Sequence, residues 1–328
     1  MNGTKPLALS IVMCVYNGER FLSDAIESIL NQTFRDFEFI IINDGSNDRS
    51  VDIVKSFKDK RIKLINQANH GFIFSLNKGV NLAQSDLIAR MDHDDISLPT
   101  RLEKQMKLIG GNPKMGAVST FFELINFESG RPLGTTLVFP PNNIDLKRYM
   151  YINNPMAHGC TIFRKAAWLE AGKYSSDYAP PEDYDLWRKI AKNWEIGMVP
   201  EVLFQYRINN PESMSQKNAL KVERNFNRIR TELINGPFIY KSISKLRSDY
   251  KVITPQRYLK YANEIKNEYV NMQFSIARIF LENNSPRKAF SATIFIALTR
   301  PRNSVELFAK YPKCLYINIS RRLKLRNK

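Results

Sequence analysis

The first hundred residues alternate between two hydrophobic periodicities. Residues 8–15 (ALSIVMCV) form a short, nearly continuous apolar run rich in β-branched side chains, the pattern of a strand buried on both faces. In residues 19–31, Phe21, Leu22, Ala25, Ile26, Ile29 and Leu30 recur at helical spacing. Residues 37–42 (FEFIII) predict a second buried strand, and Val51, Val54 and Phe57 a second helix, with the turn-and-cap cluster Asn43 to Asp48 between them. Residues 62–65 predict a short third strand, and Ile73, Leu76, Val80 and Ala83 mark one face of a third helix. Residues 86–91 (DLIARM) predict a fourth strand that runs into Asp92-His93-Asp94-Asp95. Such alternation predicts an α/β fold with a mostly parallel sheet and right-handed crossovers. Ligands of these sheets bind beyond the carboxyl ends of the strands. Three polar clusters fall at such ends: Tyr16-Asn17-Gly18-Glu19, Asn43-Asp44-Gly45-Ser46, and Asp92 to Asp95.

Between residues 116 and 207 the pattern changes to short β runs (117–125, 133–139, 161–163, 202–208) mixed with helices. One helix is expected over 183–193, with Leu186, Trp187, Ile190 and Ala191 facing inward. Beyond Asn209-Asn210-Pro211 strand signals largely vanish and basic helical patterns dominate. The expected organisation is therefore an α/β domain over 1–211, in halves of about 7–110 and 111–211, followed by a basic α-helical region over 212–328.

Charge sharpens that division. The 328 residues carry 49 Lys+Arg and 32 Asp+Glu, a net of +17. Residues 212–328 hold 24 basic against 8 acidic residues, whereas residues 1–211 hold 25 against 24, so the excess lies almost wholly in the last third. There Phe274, Ala277, Phe280 and Leu281 form an apolar stripe, and the apolar run 289–299 is flanked by Arg287, Lys288, Arg300 and Arg302. Apolar faces bordered by Lys and Arg suit helices lying in a membrane interface, where each basic residue near an anionic leaflet contributes about 1 kcal/mol. No nucleic-acid-binding signature accompanies the charge, so nucleic acid is not an expected partner. Three scattered cysteines show neither metal spacing nor a disulfide framework, which fits a reducing compartment. The polar start and the lack of an apolar run near 18–20 residues argue against secretion and membrane spanning. A cytoplasmic protein, peripheral on an anionic membrane surface, is the expectation.

Asp92, Asp94 and Asp95 end a buried strand, where three carboxylates in four residues repel one another. A hard divalent cation, Mg²⁺ or Mn²⁺, resolves that conflict and completes its shell with phosphate oxygens. Alternate strand residues point the same way, so Asp92 and Asp94 can face one ligand. Asp95 either assists them or caps the following helix. Asn77 and Lys78, late in the third helix, read as a solvated face.

Together with Asn77-Lys78-Gly79, His158-Gly159 and Pro181-Glu182-Asp183-Tyr184-Asp185-Leu186, these clusters make residues 7–209 resemble a family 2 glycosyltransferase of the GT-A fold, of the bacterial lipopolysaccharide, O-antigen or capsule type. The resemblance implies a nucleotide-sugar donor, with Asp44 accepting a hydrogen bond from N3–H of uracil and Tyr16, Asn17 and Glu19 wrapping the nucleoside. It implies Asp92 on ribose or sugar and Asp94 on the metal that bridges the diphosphate. Arg90 would contact donor phosphate or sugar, or form a cross-sheet ion pair. Asp183 would be the base that deprotonates the acceptor hydroxyl, with Glu182 orienting either the acceptor or Asp183. Gln205-Tyr206-Arg207 resembles a strand whose Arg serves the diphosphate; many relatives place His two residues later, where this chain has Asn209. The Gln-x-x-Arg-Trp motif of processive members is absent, so single-sugar transfer to a saccharide or lipid-linked saccharide is implied.

Two rivals stand beside this reading. A nucleotidyltransferase also uses a parallel sheet and Mg²⁺-binding Asp, but wants a Gly-rich phosphate loop that Tyr16-Asn17-Gly18-Glu19 does not supply. A basic, non-enzymatic nucleic-acid- or membrane-binding protein would use the acidic clusters as helix caps alone.

Overall fold

A computed structural model describes residues 7–150, 153–208, 210 and 213–235. β1 (Leu9–Val15), β2 (Phe37–Asp44), β3 (Ile62–Gln67) and β4 (Leu87–Met91) pair in parallel in the order β3-β2-β1-β4. Every residue of β1 and β2 is buried, as their unbroken apolar runs require, while the edge strand β3 is only partly covered. The crossovers are α1 (Leu22–Leu30), α2 (Ser50–Ser56) and α3 (Phe72–Leu82). Leu22, Ala25, Ile26 and Ile29 bury one face of α1, and Leu76 and Val80 one face of α3. At Gly79 a Cβ would lie 2.5 Å from Val12 Cγ1, so the missing side chain is what lets α3 press onto β1. Strand order reverses between β1 and β4, the place where open α/β sheets bind ligands.

The second half of the sheet is mixed. β5 (Ile96–Ser97), β6 (Met115–Asn126), β7 (Pro132–Leu137), β8 (Ile162–Arg164) and β9 (Glu195–Ile208) continue it as β4-β8-β6-β9-β5, with β7 on β6. β8 is antiparallel to β4 and β6, and β9 is parallel to β6. β9 starts seven residues before the run expected at 202, because its pairing with β6 shifts register between Thr120 and Phe121, opposite the exposed pair Pro200-Glu201. α4 (Arg101–Gly110), α5 (Asn143–Tyr149), α6 (Lys165–Glu170) and α7 (Glu182–Asn193) cover this half. The α/β sheet with flanking helices is what the alternation of patterns implied.

Two further helices, α8 (Met214–Lys217) and α9 (Ala219–Asn235), open the region expected to be basic and helical. α9 packs on α7 and the turn before it. Glu232 accepts a hydrogen bond from Tyr178 Oη (2.6 Å) and pairs with Arg188 (2.8 Å), Asn225 Nδ2 donates to the Pro180 carbonyl (3.0 Å), and the Phe226 and Tyr184 rings lie 5.0 Å apart. Asn209, the stripe at 274–281, the run at 289–299 and the rest of the basic region from 236 onward lie outside the described residues. Among the described residues no helix is long and apolar enough to cross a membrane.

Candidate active site

The loops after β1 and β2 are built around each other. Asn17, with φ of 51°, donates its backbone N–H to Ser46 Oγ (3.0 Å) and accepts at Oδ1 from Asn47 N–H (3.0 Å). The N–H groups of Gly18 and Glu19 donate to Ser50 Oγ and Asp48 Oδ2, both at 2.9 Å. Glu19 Oε2 accepts from the backbone and the guanidinium of Arg49 (3.1 and 3.2 Å). Asn17 and Glu19 therefore fix the loop, and Tyr16, 50% exposed at the end of β1, is the side chain they leave open to a ligand. Asp44 is buried and accepts three hydrogen bonds: Gln67 Nε2 (2.7 Å) and His70 N–H (2.9 Å) at Oδ1, and Gly71 N–H (2.9 Å) at Oδ2.

Beyond β4 the acidic residues separate into distinct environments. Asp92 Oδ1 pairs with Arg90 Nη2 at 2.6 Å, and Arg90 is itself 1% exposed, with its guanidinium 5.5 Å from the centre of the Phe72 ring. The ion pair of Arg90 is thus local, with Asp92 two residues on, and not the cross-sheet pair that was one of its two expected roles. Asp95 is buried and does not cap α4, whose N-cap is Thr100; its Oδ1 instead accepts from Arg207 N–H at 2.7 Å, and its Oδ2 accepts no hydrogen bond among the described residues. Burial, then the neighbouring charges of Asp94 and Asp92, pushes the Asp95 carboxyl well above the usual carboxylate range. Asp92 is raised as well, chiefly by burial and against the pull of Arg90. Arg207 spans the turn: Nε donates to the Asp94 carbonyl (2.7 Å), Nη1 to the carbonyls of Phe127 and Asn126 (3.3 and 3.4 Å), and its guanidinium lies 4.1 Å from the Phe21 ring centre.

The Asp94 carboxylate accepts no hydrogen bond among the described residues. One unengaged carboxylate beside two whose ionisation is suppressed matches a cation that takes one or two carboxylates and completes its shell from a diphosphate. No group of three or more His, Cys, Asp or Glu among the described residues is arranged to hold a metal alone. The donor set fits a metal shared with substrate phosphates.

The opposite wall begins at α7. Asp183 is half-buried; Asn154 Nδ2 donates to its Oδ2 (2.8 Å) and Tyr184 N–H to its Oδ1 (2.7 Å). Glu182 is 7% exposed, with Oε1 3.6 Å from His158 Nδ1. Burial, followed by the charge of Asp183, moves Glu182 up to about 8, and burial with the charge of Asp92 moves Asp183 up to about 7. That Asp92 acts on both places the two acidic clusters in one field. The turn carrying Gly159 joins them: a Cβ there would lie 2.7 Å from Asp92 Oδ2 and 3.3 Å from Asp95 Oδ2.

Three supporting residues escaped the sequence reading. Arg101, 0% exposed, donates from Nη1 to the carbonyls of Gly159 (2.7 Å) and Arg90 (3.3 Å), tying both walls together; its signal was its place six residues after the acidic cluster. Asn154 and Tyr174 carried none. Asn77 is a correction: it lies off the solvated face, Nδ2 donating to the Tyr174 carbonyl (3.0 Å) and Oδ1 accepting from Tyr174 N–H (3.1 Å). Lys78, beside it, donates to Gln67 Oε1 (2.7 Å).

Comparison with known proteins agrees with this geometry. The model of glycosyl transferase family 2 matches residues 10–172. The O-antigen biosynthesis glycosyltransferase WbnJ of Escherichia coli is 36% identical over 221 residues, covering 65% of this chain and 83% of that protein. Among solved structures, S. aureus TarS 1-349 in complex with UDP-GlcNAc superposes with a TM-score of 0.56 at 16% identity, covering 83% of this chain and 81% of that one. The mannosyltransferase PcManGT of Pyrobaculum calidifontis, in complex with GDP-Man and Mn²⁺, gives 0.52 at 14% identity, covering 93% and 79%. These likenesses show the GT-A fold. The chain is a glycosyltransferase, and it belongs to glycosyltransferase family 2.

Proposed function

We propose that the protein is an inverting, divalent-cation-dependent glycosyltransferase that moves one hexosyl group from a UDP-sugar to a saccharide acceptor, free or carried on a lipid, in the synthesis of a bacterial surface polysaccharide. The observation that carries the reading is the approach of two acidic walls at the end of β4: the turn at His158-Gly159 lies against Asp92, two residues before Asp94, on one side and against Glu182, next to Asp183, on the other. In this reading Asp183 takes the proton from the acceptor hydroxyl as its oxygen attacks the anomeric carbon, and the nucleoside diphosphate leaves from the opposite face. A cation held by Asp94 and Asp92 would supply neutralisation of the charge that collects on the departing diphosphate. Arg90 holds Asp92, and Arg207 holds the turn that presents Asp94.

Asp44 supports uridine over guanosine. A carboxylate offers about four lone-pair positions, and three are already engaged by Gln67, His70 and Gly71. The remaining one accepts a single N–H, as uracil N3 presents, where guanine presents two side by side. Tyr16 supplies an exposed ring for the base to stack on. The relation to WbnJ, an O-antigen biosynthesis glycosyltransferase, supports a surface-polysaccharide acceptor. UDP is expected to raise the melting temperature only when Mn²⁺ or Mg²⁺ is present, with GDP giving a smaller shift; no shift from any nucleotide with metal sinks the transferase reading.

The +16 of residues 212–328 supports docking at the anionic cytoplasmic leaflet of the inner membrane. Sedimentation with vesicles of anionic phospholipid is expected to fall steeply between low and high salt. Binding that is indifferent to salt, or equal on neutral vesicles, removes this part of the reading.

A further inference from the structure

The acceptor-side wall contains a buried polar chain that the catalytic reading above does not use. It begins on α3, where Asn77 clasps the backbone of Tyr174 through two hydrogen bonds (3.0 and 3.1 Å). Tyr174 is 4% exposed, and its Oη lies 2.9 Å from His158 Nε2. The other ring nitrogen of His158, Nδ1, faces Glu182 Oε1 at 3.6 Å. The imidazole is fixed laterally by the rings of Phe72 (6.1 Å), Tyr174 (5.3 Å) and Trp187 (6.2 Å). A donor-half helix is thereby connected, through three side chains, to the residue adjoining the proposed base.

We infer that Tyr174 and His158 are positioning residues, a proton-holding chain that sets the orientation and protonation of Glu182 and through it the charge beside Asp183. The inference rests on the reading of Asp183 as the base. Two proton arrangements link the chain from Tyr174 to Glu182 with a neutral imidazole. When Glu182 is a carboxylate, Tyr174 O–H donates to Nε2 and Nδ1–H donates to Glu182. When Glu182 is protonated, its O–H donates to Nδ1 and Nε2–H donates to the Tyr174 oxygen. No charge enters the imidazole in either case, consistent with the burial and the Arg90 charge that hold His158 well below its usual range. The 3.6 Å separation is longer than a hydrogen bond, as catalytic contacts often are before substrate closes the site. Glu182 is faced by Asp183, Asp92 and Arg90 as well as by His158, so the chain acts within a field that those three charges also set.

The test reads the chain directly. The protein contains three histidines, so ¹⁵N spectra of the imidazoles of the full chain are few-lined, and His70→Gln and His93→Gln spectra assign His158 by elimination. His158 is expected to stay neutral from pH 6 to 9 and to exchange its Nε2–H form for its Nδ1–H form as pH rises. Tyr174→Phe, which removes one oxygen and keeps the ring, is expected to move that exchange by at least about half a pH unit. In transfer assays it is expected to lower kcat about fivefold at neutral pH, to leave the KM for nucleotide-sugar within about twofold, and to shift the acid limb of the pH–rate profile. A doubly protonated His158, or a single tautomer across the range, overturns the inference on wild-type protein alone. A Tyr174→Phe profile superimposable on wild type overturns it kinetically. If wild type turns over no nucleotide-sugar, the proposed function fails instead, and the ¹⁵N spectra still decide the chain.

Discussion

The two acidic walls meet one cleft on different terms. On the donor side the carboxylates of the nucleotide loops are engaged, Asp44 by three donors, Glu19 by Arg49 and Asp48 by the N–H groups of Glu19 and Ser50; beyond β4, Asp92 pairs with Arg90 and Asp94 alone is left open among the described residues. On the base side Glu182 and Asp183 lie side by side at the start of α7 with no cation paired to them among the described residues, and both are shifted upward by burial. A site that must grip a nucleotide needs rigid, satisfied loops, because each immobilised contact then costs less on binding. A site that must accept a proton needs a carboxylate whose affinity for protons has been raised toward the working pH. The contrast is a division of labour between fixed geometry and stored electrostatic tension.

The sharpest way to break this comparison is Asp183→Asn. A nearly isosteric amide keeps the contact with Asn154 or its mirror image but accepts no proton, so kcat is expected to fall by about 10³, within the range attributed to general bases. Affinity for UDP with metal, measured by calorimetry, is expected to change less than about twofold. Turnover near that of wild type would remove Asp183 from the reaction. The wild-type pH profile carries the same argument: Asp183 sits near 7 and must be unprotonated to act. The rate is therefore expected to drop about tenfold per pH unit below 7 and to level off above it. A flat profile from pH 5 to 8 contradicts a base raised by burial.

The donor half was legible because its signals are local. β1 and β2 are unbroken apolar runs buried on both faces, and Asp92 to Asp95 stand out because charge follows directly on a buried strand. The parts that escaped depend on partners far along the chain. Asn77 looks like helix surface until Tyr174, 97 residues away, closes on it. Arg101 looks like an ordinary helical cation until the Gly159 carbonyl, 58 residues on, accepts a hydrogen bond from it. Pro200-Glu201 ends the apolar pattern, yet β9 runs through them by shifting register against β6. α9 carries the basic composition of the last third, while Glu232 and Asn225 bind it to the catalytic half. Periodicity reports which face is buried; it does not report which distant carbonyl satisfies a buried polar group.

A smaller perturbation tests whether the walls are sterically coupled. Gly159→Ala introduces a Cβ 2.7 Å from both Asp92 Oδ2 and Phe204 Cζ. The Phe204 ring is fully buried with the Arg101 guanidinium 5.5 Å over it, so Asp92 is the group that must yield. Overpacking of this kind costs about 1–3 kcal/mol. If the strain falls on Asp92, metal-dependent UDP affinity is expected to weaken by about tenfold, with a modest loss of melting temperature. Loss of stability with unchanged affinity would mean that the turn at Gly159 is packing alone and the walls are independent.

The finest test concerns the tension stored at Glu182. Its carboxyl is raised from about 4.5 to about 8 by burial and the charge of Asp183. A group raised in the folded state favours folding while protonated in both states, below its unfolded value, and that contribution is lost as pH climbs through the folded value. The folded protein is thus expected to lose stability between about pH 4.5 and 8 on account of this residue. Glu182→Gln mimics the protonated form and removes the loss. At pH 8 the variant is expected to melt higher than wild type by a few degrees, on the order of 1–2 kcal/mol for a domain of this size. At pH 5 the two are expected to coincide. If the variant is less stable by the same amount at both pH values, Glu182 is a packing residue, and the acceptor wall is no more strained than the donor wall. If it is more stable at pH 8 but transfers sugar more slowly, the stability given up at Glu182 is tied to its place beside the base.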